Sequence, residues 1–306
     1  MHISIIVVTY NSKKETDDCI ASLSIIKSKD LKWNALVVDN GSVEQYSLPA
    51  GIDTSHFEVL RSEANLGFTG GNNLGIYNAI ERHNSEYVLL LNNDTTVDAT
   101  FLTNLVKCSL ETPEHGVVCP KIYFYPGDEY HDSYSRSDRG NVLWYAGGSI
   151  DWTSLSAFHR GVDEIDRGHF DALQTTDFAT GCCMLIKREA LEKVGMFDKR
   201  YFLYFEDVDL SARIKDAGYT LGFCSSSHIW HKNAKSSGGS GSQIHNYYIA
   251  RNRLLFSFQH GSLRNKLLAL RVWVTYILSA SSLEQQAAID FALRRFGKQP
   301  VVLSVE

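Results

Sequence analysis

Five stretches place carboxylates, amides, glycines and imidazoles where they can do chemistry. Leu89-Leu90-Leu91-Asn92-Asn93-Asp94 runs an apolar segment into two amides and a carboxylate. Magnesium or manganese needs few protein ligands when a diphosphate supplies the rest. Asp94 is therefore the candidate ligand for Mg2+ or Mn2+. Asn92 is a water-mediated ligand or sugar contact, and Asn93 lies beside it; a plain strand-end cap is the competing reading. Phe205-Glu206-Asp207-Val208-Asp209-Leu210 carries three carboxylates in four residues. Asp209 and Arg213 stand four apart on a helix and read as a structural pair. Glu206 and Asp207 remain at the helix start, where the dipole favours negative charge. There they suit removal of a proton from an acceptor hydroxyl, with N-capping as the alternative.

Thr9-Tyr10-Asn11 and Asp39 form a third group, because a carboxylate at a strand tip can accept from the N3–H of uracil or thymine. Asp39-Asn40-Gly41-Ser42 is also turn chemistry, so an Asx turn competes. In the fourth group, Asn65 to Gly75, Asn65, Gly67 and Asn72 stand in a glycine-rich approach to a helix, where backbone N–H groups can meet an anion. A dinucleotide fingerprint is the rival there, but it should follow the first strand, which ends without glycine. The fifth is His228 and His231. His231 precedes a Gly/Ser-rich segment, 232–242, expected to be mobile, and suits a metal ligand beside a closing lid; the other imidazole is expected to be structural. Downstream, Tyr247, Tyr248, Arg251 and Asn252 share a helix, and Arg251 is the candidate for a bidentate phosphate contact; packing is the alternative.

The elements that must position these groups alternate in the first half. Strands are expected at Ile3–Thr9, Ala35–Val38, Phe57–Arg61, Tyr87–Leu91 and Val117–Tyr125, and helices at Glu15–Ile26, Asn72–Arg82 and Val97–Glu111. This order implies an α/β, mostly parallel, doubly wound sheet. Such sheets bind ligands beyond the carboxyl ends of their strands, where Asp39 and Asp94 fall. Further on, Pro126–Gly140 reads as a surface loop, Trp144–Trp152 and Asp177–Ile186 as strands, and Arg188–Val194 and Val208–Asp216 as helices. From Ile244 to about Phe296 the pattern is helical. The expected division is a ligand-binding and catalytic domain over residues 1–235, with 236–306 a mobile loop and helical extension packing on it.

Composition limits the partners. The 306 residues, 44% hydrophobic and 21% charged, can bury a sizeable core, and a net charge of -5 gives no global pull toward nucleic acid. The N-terminus lacks a basic region and cleavage site, so no signal peptide is expected. The six cysteines show no zinc spacing and are expected to be buried reduced thiols of a cytoplasmic protein. Leu267–Leu278, with Arg264, Lys266 and Arg271, is too short to span a bilayer. It reads as a helix packing on the core or on a second subunit of a homodimer, or as an interfacial helix at the inner face of the cytoplasmic membrane.

Taken together, these motifs resemble the inverting GT-A fold glycosyltransferases of the large bacterial family that includes rhamnosyltransferases of polysaccharide assembly. The likeness rests on Val7 to Ser12, Val37 to Ser42, Asn65 to Gly75, Leu90 to Thr95 and Thr180 to Gly218, completed by Trp230-His231-Lys232 and Tyr247 to Asn252. It implies that Asp39 contacts a pyrimidine and that Asp94 closes a metal-binding D-x-D motif whose first position is Asn92 here. It also implies that His231 helps hold the metal-diphosphate and that Asp207 is the base. A dTDP or UDP sugar, with rhamnose the leading expectation, would pass to a glycan or lipid-linked glycan hydroxyl. A non-catalytic nucleotide-sugar-binding protein and an NAD-dependent oxidoreductase are the alternatives.

Overall fold

The β-branched run at the N-terminus has no polar face to offer water, and it forms a strand with its apolar side chains buried, β1 (His2–Thr9). In the computed structural model, which describes residues 1–28, 31–131, 133–172, 174–232 and 241–300, the chain continues through α1 (Lys13–Leu23), β2 (Lys32–Asn40), β3 (Phe57–Ser62), α2 (Gly67–Glu81), β4 (Tyr87–Asn92), β5 (Thr95–Val97), α3 (Phe101–Glu111) and β6 (His115–Phe124). After β7 (Leu143–Tyr145) and a hairpin of β8 (Gly148–Asp151) and β9 (Ser156–His159) come β10 (Cys183–Lys187), α4 (Arg188–Val194), α5 (Glu206–Asp216) and β11 (Thr220–His231). Three helices close the described chain: α6 (Gln243–His260), α7 (Leu263–Ile277) and α8 (Ser282–Ala292).

The main sheet runs β3-β2-β1-β4-β10-β6-β11-β5, with β7 on β6. The first four strands are mutually parallel, and β6 and β11 are parallel to each other. β10 enters antiparallel between β4 and β6. The α/β architecture with a C-terminal helical extension is therefore as expected. The extension is not a loose appendage, since Leu255 and Phe256 of α6 join the same core cluster as the sheet.

Several elements depart from the expectation. α2 begins at Gly67 rather than at Asn72. Its glycines serve packing: a Cβ on Gly75 would lie 2.4 Å from Ile6 Cγ2, so the helix sits closer to β1 than any side chain permits. The expected strand at Trp144–Trp152 is split at Gly147, where φ is 95°. β11, twelve residues long, was not expected: its Cys-Ser-Ser-Ser-His centre lacks alternation because its register with β6 shifts between Cys224 and His228. Cys108 and Cys224 form a disulfide joining α3 to β11, which corrects the expectation of six free thiols; the other four are buried and free. Most of the segment expected to be mobile, 233–240, lies outside the described residues.

Candidate active site

Strand register, not sequence proximity, assembles the site. β5 pairs with the end of β11 so that Thr95 faces His231, and the Lys232 N–H donates to the Asp94 carbonyl. Asp94 and His231 are thereby both buried, with Oδ1 and Nε2 3.2 Å apart. β10 pairs with β4 and carries Cys182 opposite Asn92, whose N–H donates to the Cys182 carbonyl. The preceding N–H, from Gly181, donates to Asp207 Oδ2 at 2.9 Å. The tips of β4, β10, β11 and α5 thus meet at one cavity of about 1130 Å³.

Asn92, Asn93, Asp94, Glu206, Asp207 and His231 line that cavity, and so do Tyr10, Asn65, Gly67 and Asn72. Asn65 Oδ1 accepts the Gly67 N–H, shaping the entry to α2, and Asn72 Nδ2 donates to the Phe68 carbonyl. Gly67 has φ of 73°, and a Cβ there would overlap the Phe202 ring. Asn93 Nδ2 donates to Thr16 Oγ1, which itself donates to Thr9 Oγ1, so buried Thr9 braces the strand tips from behind the cavity. Asn11 accepts the Val43 N–H and ties β1 to the turn after β2.

Two residues expected to contact ligand have internal partners in this geometry. Asp39 has no exposed surface and does not line the cavity. Its carboxylate accepts from the Ser42 and Tyr46 N–H groups and from Arg61. Burial alone would raise this carboxyl, but those donors outweigh it and hold it below the ordinary range. It anchors the turn after β2, and its neighbour Asn40, with Tyr10 just past the end of β1, reaches the cavity. Arg251 is fully buried, and its guanidinium donates to the carbonyls of Arg200, Tyr201 and Gly297. With Asn252, which donates to the carbonyls of Tyr201, Leu203 and Tyr204, it clamps the segment leading into α5. That segment needs a clamp: Phe202, Tyr204 and Phe205 all have φ between 66° and 68°, each costing about 1–3 kcal/mol. Asp209 pairs with Arg213, as the spacing suggested.

Asp94 and His231 suit a divalent cation. Two ligands about 2.1 Å from an octahedral ion and at right angles stand about 3 Å apart, close to the observed separation. His231 Nδ1 is buried without a hydrogen-bond partner among the described residues. No cluster of three or more His, Cys, Asp or Glu able to hold a metal occurs among the described residues.

Comparison with known proteins identifies the family and the fold. The model of the family described as glycosyl transferase family 2 matches residues 4–195. The chain belongs to that family. A hexosyltransferase of low-salt glycan biosynthesis from Haloferax volcanii is 24% identical over 255 residues, covering 83% of this chain and 75% of that protein. The N-acetylglucosaminyl-diphospho-decaprenol L-rhamnosyltransferase of Mycobacterium tuberculosis is 27% identical over 246 residues, covering 76% and 77%. Among solved structures, the mannosyltransferase PcManGT from Pyrobaculum calidifontis, in complex with GDP-Man and Mn2+, superposes with a TM-score of 0.53 at 15% identity, covering 96% of this chain and 80% of that one. The fold is the GT-A type and the protein is a glycosyltransferase.

The glycosyltransferase site also has walls that its sequence did not announce. Trp144 packs edge-on against His231, with ring centroids 4.4 Å apart, and also against His159, at 4.3 Å. Burial lowers the His159 imidazole to about 4, so it is a neutral ring at physiological pH. Thr180, Gly181 and Phe202–Phe205 line the cavity too. They come from irregular segments, where neither period 2 nor period 3.6 marks a face.

The acid pair is electrostatically strained. Burial pushes Glu206 well above the usual carboxylate range, and neighbouring Asp207 adds to that. Burial raises Asp207 as well, opposed by backbone N–H donors from Gly181 and Val208. Glu206 Oε2 is buried with no hydrogen-bond partner among the described residues. Asp207 is therefore the member that ionises first, and Glu206 keeps its proton longer. A raised folded-state value means that the folded protein holds this proton more tightly than the unfolded chain does. The resulting stability is full below the unfolded Glu value of about 4.3 and is lost as pH rises through the folded one, by about 1.4 kcal/mol per pH unit. Glu206→Gln should remove that loss, raising the melting temperature at pH 7 but not at pH 4. Equal shifts at both pH values in thermal scans would contradict the assignment.

Proposed function

We propose that this glycosyltransferase moves a sugar from a nucleotide diphosphate donor to an acceptor hydroxyl by a single displacement with inversion. The observation that carries the reading is the convergence of the Asp94–His231 pair and Asp207 on one cavity. Tyr10, Asn65 and the α2 entry at Gly67 line the side taken as the nucleotide site. Asp94 and His231 would hold the cation, and Asn92 would meet it through water or touch the sugar. A bound divalent ion supplies charge neutralisation for the departing diphosphate. Asp207 accepts the proton of the acceptor hydroxyl, which attacks the anomeric carbon from the face opposite the diphosphate. Glu206, whose carboxyl burial raises further, holds its proton to higher pH than Asp207 and so delays a second negative charge in the same buried space.

The substrates follow the relatives. The rhamnosyltransferase named above supports L-rhamnose as the sugar and a lipid-linked acceptor, the hexosyltransferase supports a role in glycan biosynthesis, and dTDP or UDP is the nucleotide that the family resemblance implies. A thermal-shift screen of UDP, dTDP and GDP sugars, with and without Mn2+, tests the donor. At about 100-fold excess over Kd the cognate donor should stabilise the fold by roughly 2.7 kcal/mol. NMR of the product should show the inverted anomer. Stabilisation by NAD but by no nucleotide sugar, or a retained anomer, would refute the reading.

A further inference from the structure

Helix α7 has two apolar faces. Ala269 and Tyr276, with Leu268, Val272 and Trp273 packed beside them, belong to the core cluster that α6 and α8 share. The other face carries Leu263, Leu267, Leu270 and Val274 and is continued by Leu278 at the helix C-cap, each between 43% and 79% exposed. At 100° per residue these five fall within an arc of about 80°. Arg264 and Arg271 flank the arc on one side and Lys266 on the other.

We propose that this face rests on an anionic phospholipid bilayer. An apolar stripe bordered by long cationic side chains is the pattern of a helix lying in the membrane interface, its stems along the apolar boundary and its charges at the headgroups. Charge selects the lipid. Residues 241–300 hold eight Lys and Arg against two Asp and Glu, in a chain of net charge -5. Both acids are engaged internally, Glu284 by Ser279 and Asp290 by Tyr247. A second copy is the poorer occupant, since α7 has no acidic residue. Two such faces would set cations together without a carboxylate between them. No helix among the described residues is long and apolar enough to cross a membrane, and 15 residues of α7 reach only about 22 Å, so the helix lies on the bilayer. The surface is independent of the donor and acceptor assigned above, because its readout is binding and not transfer.

Sedimentation of the full chain with vesicles tests it. Wild type should pellet with phosphatidylcholine vesicles containing about one-third phosphatidylglycerol, bind pure phosphatidylcholine more weakly, and release in about 1 M salt. Leu267→Ser with Leu270→Ser, and separately Arg264→Glu with Lys266→Glu and Arg271→Glu, should each cut partitioning by about tenfold or more. These side chains are exposed or at the margin, so melting temperatures should hold, and the charge variant tests the face even if the serine variant loosens the helix. Failure of wild type to bind anionic vesicles would overturn the proposal. So would binding that survives both variants, or a lipid-free dimer that the serine variant splits.

Discussion

Asp207→Asn should lower kcat by about 10²–10⁴, the span of a lost general base, while the thermal shift given by donor and Mn2+ remains. The substitution keeps the shape of a side chain that accepts the Gly181 and Val208 N–H groups. Asparagine has one acceptor oxygen, so one of those N–H groups loses its partner, costing roughly 1 kcal/mol. Removing a buried charge works in the opposite direction, so the fold should survive. The wild-type rate should show a matching pH profile. Burial raises the Asp207 carboxyl, and a base works only when deprotonated, so activity should climb with pH through an inflection above the ordinary Asp range. That inflection should vanish in the variant. Near-normal turnover in Asp207→Asn would remove Asp207 from the mechanism.

Asp94→Asn should produce a comparable loss through a different parameter. Charge stabilisation by a bound cation is worth several kcal/mol, so kcat/KM should fall by about 10²–10³ or more. The donor's thermal shift should no longer depend on Mn2+. The fold should tolerate the change, because an amide at this position still faces His231 across 3.2 Å in a shape-matched site. Treating wild type with EDTA should reproduce the kinetic defect, and adding Mn2+ should restore wild type only. Activity indifferent to chelator, or a variant that retains wild-type metal dependence, would dissociate Asp94 from any cation.

Much of this could be read before the coordinates. The runs at Ile3–Thr9 and Tyr87–Leu91 are too apolar for anything but buried strands, and the motif order gave the resemblance that the family match shows. What could not be read depended on distant partners. β11 is irregular in sequence because its neighbour β6 imposes a register shift at Cys224–His228. Asp39 and Arg251 have the chemistry of ligand contacts, but whether a carboxylate meets a base or its own turn depends on Arg61 and Tyr46. Likewise, a guanidinium meets a phosphate or a carbonyl according to how the 200–204 segment folds back. Local pattern carries no information on either. Trp144 and His159 escaped notice for the same reason, since only the approach of β11 makes them walls.

Arg251 and Asn252 sit in the middle of α6, and α6 also supports α7 and α8. The same rod therefore grips the segment leading into α5 and supports α7, whose outer face is assigned to the bilayer. The site segment and the proposed membrane face thus share one support, α6, with no linker between them.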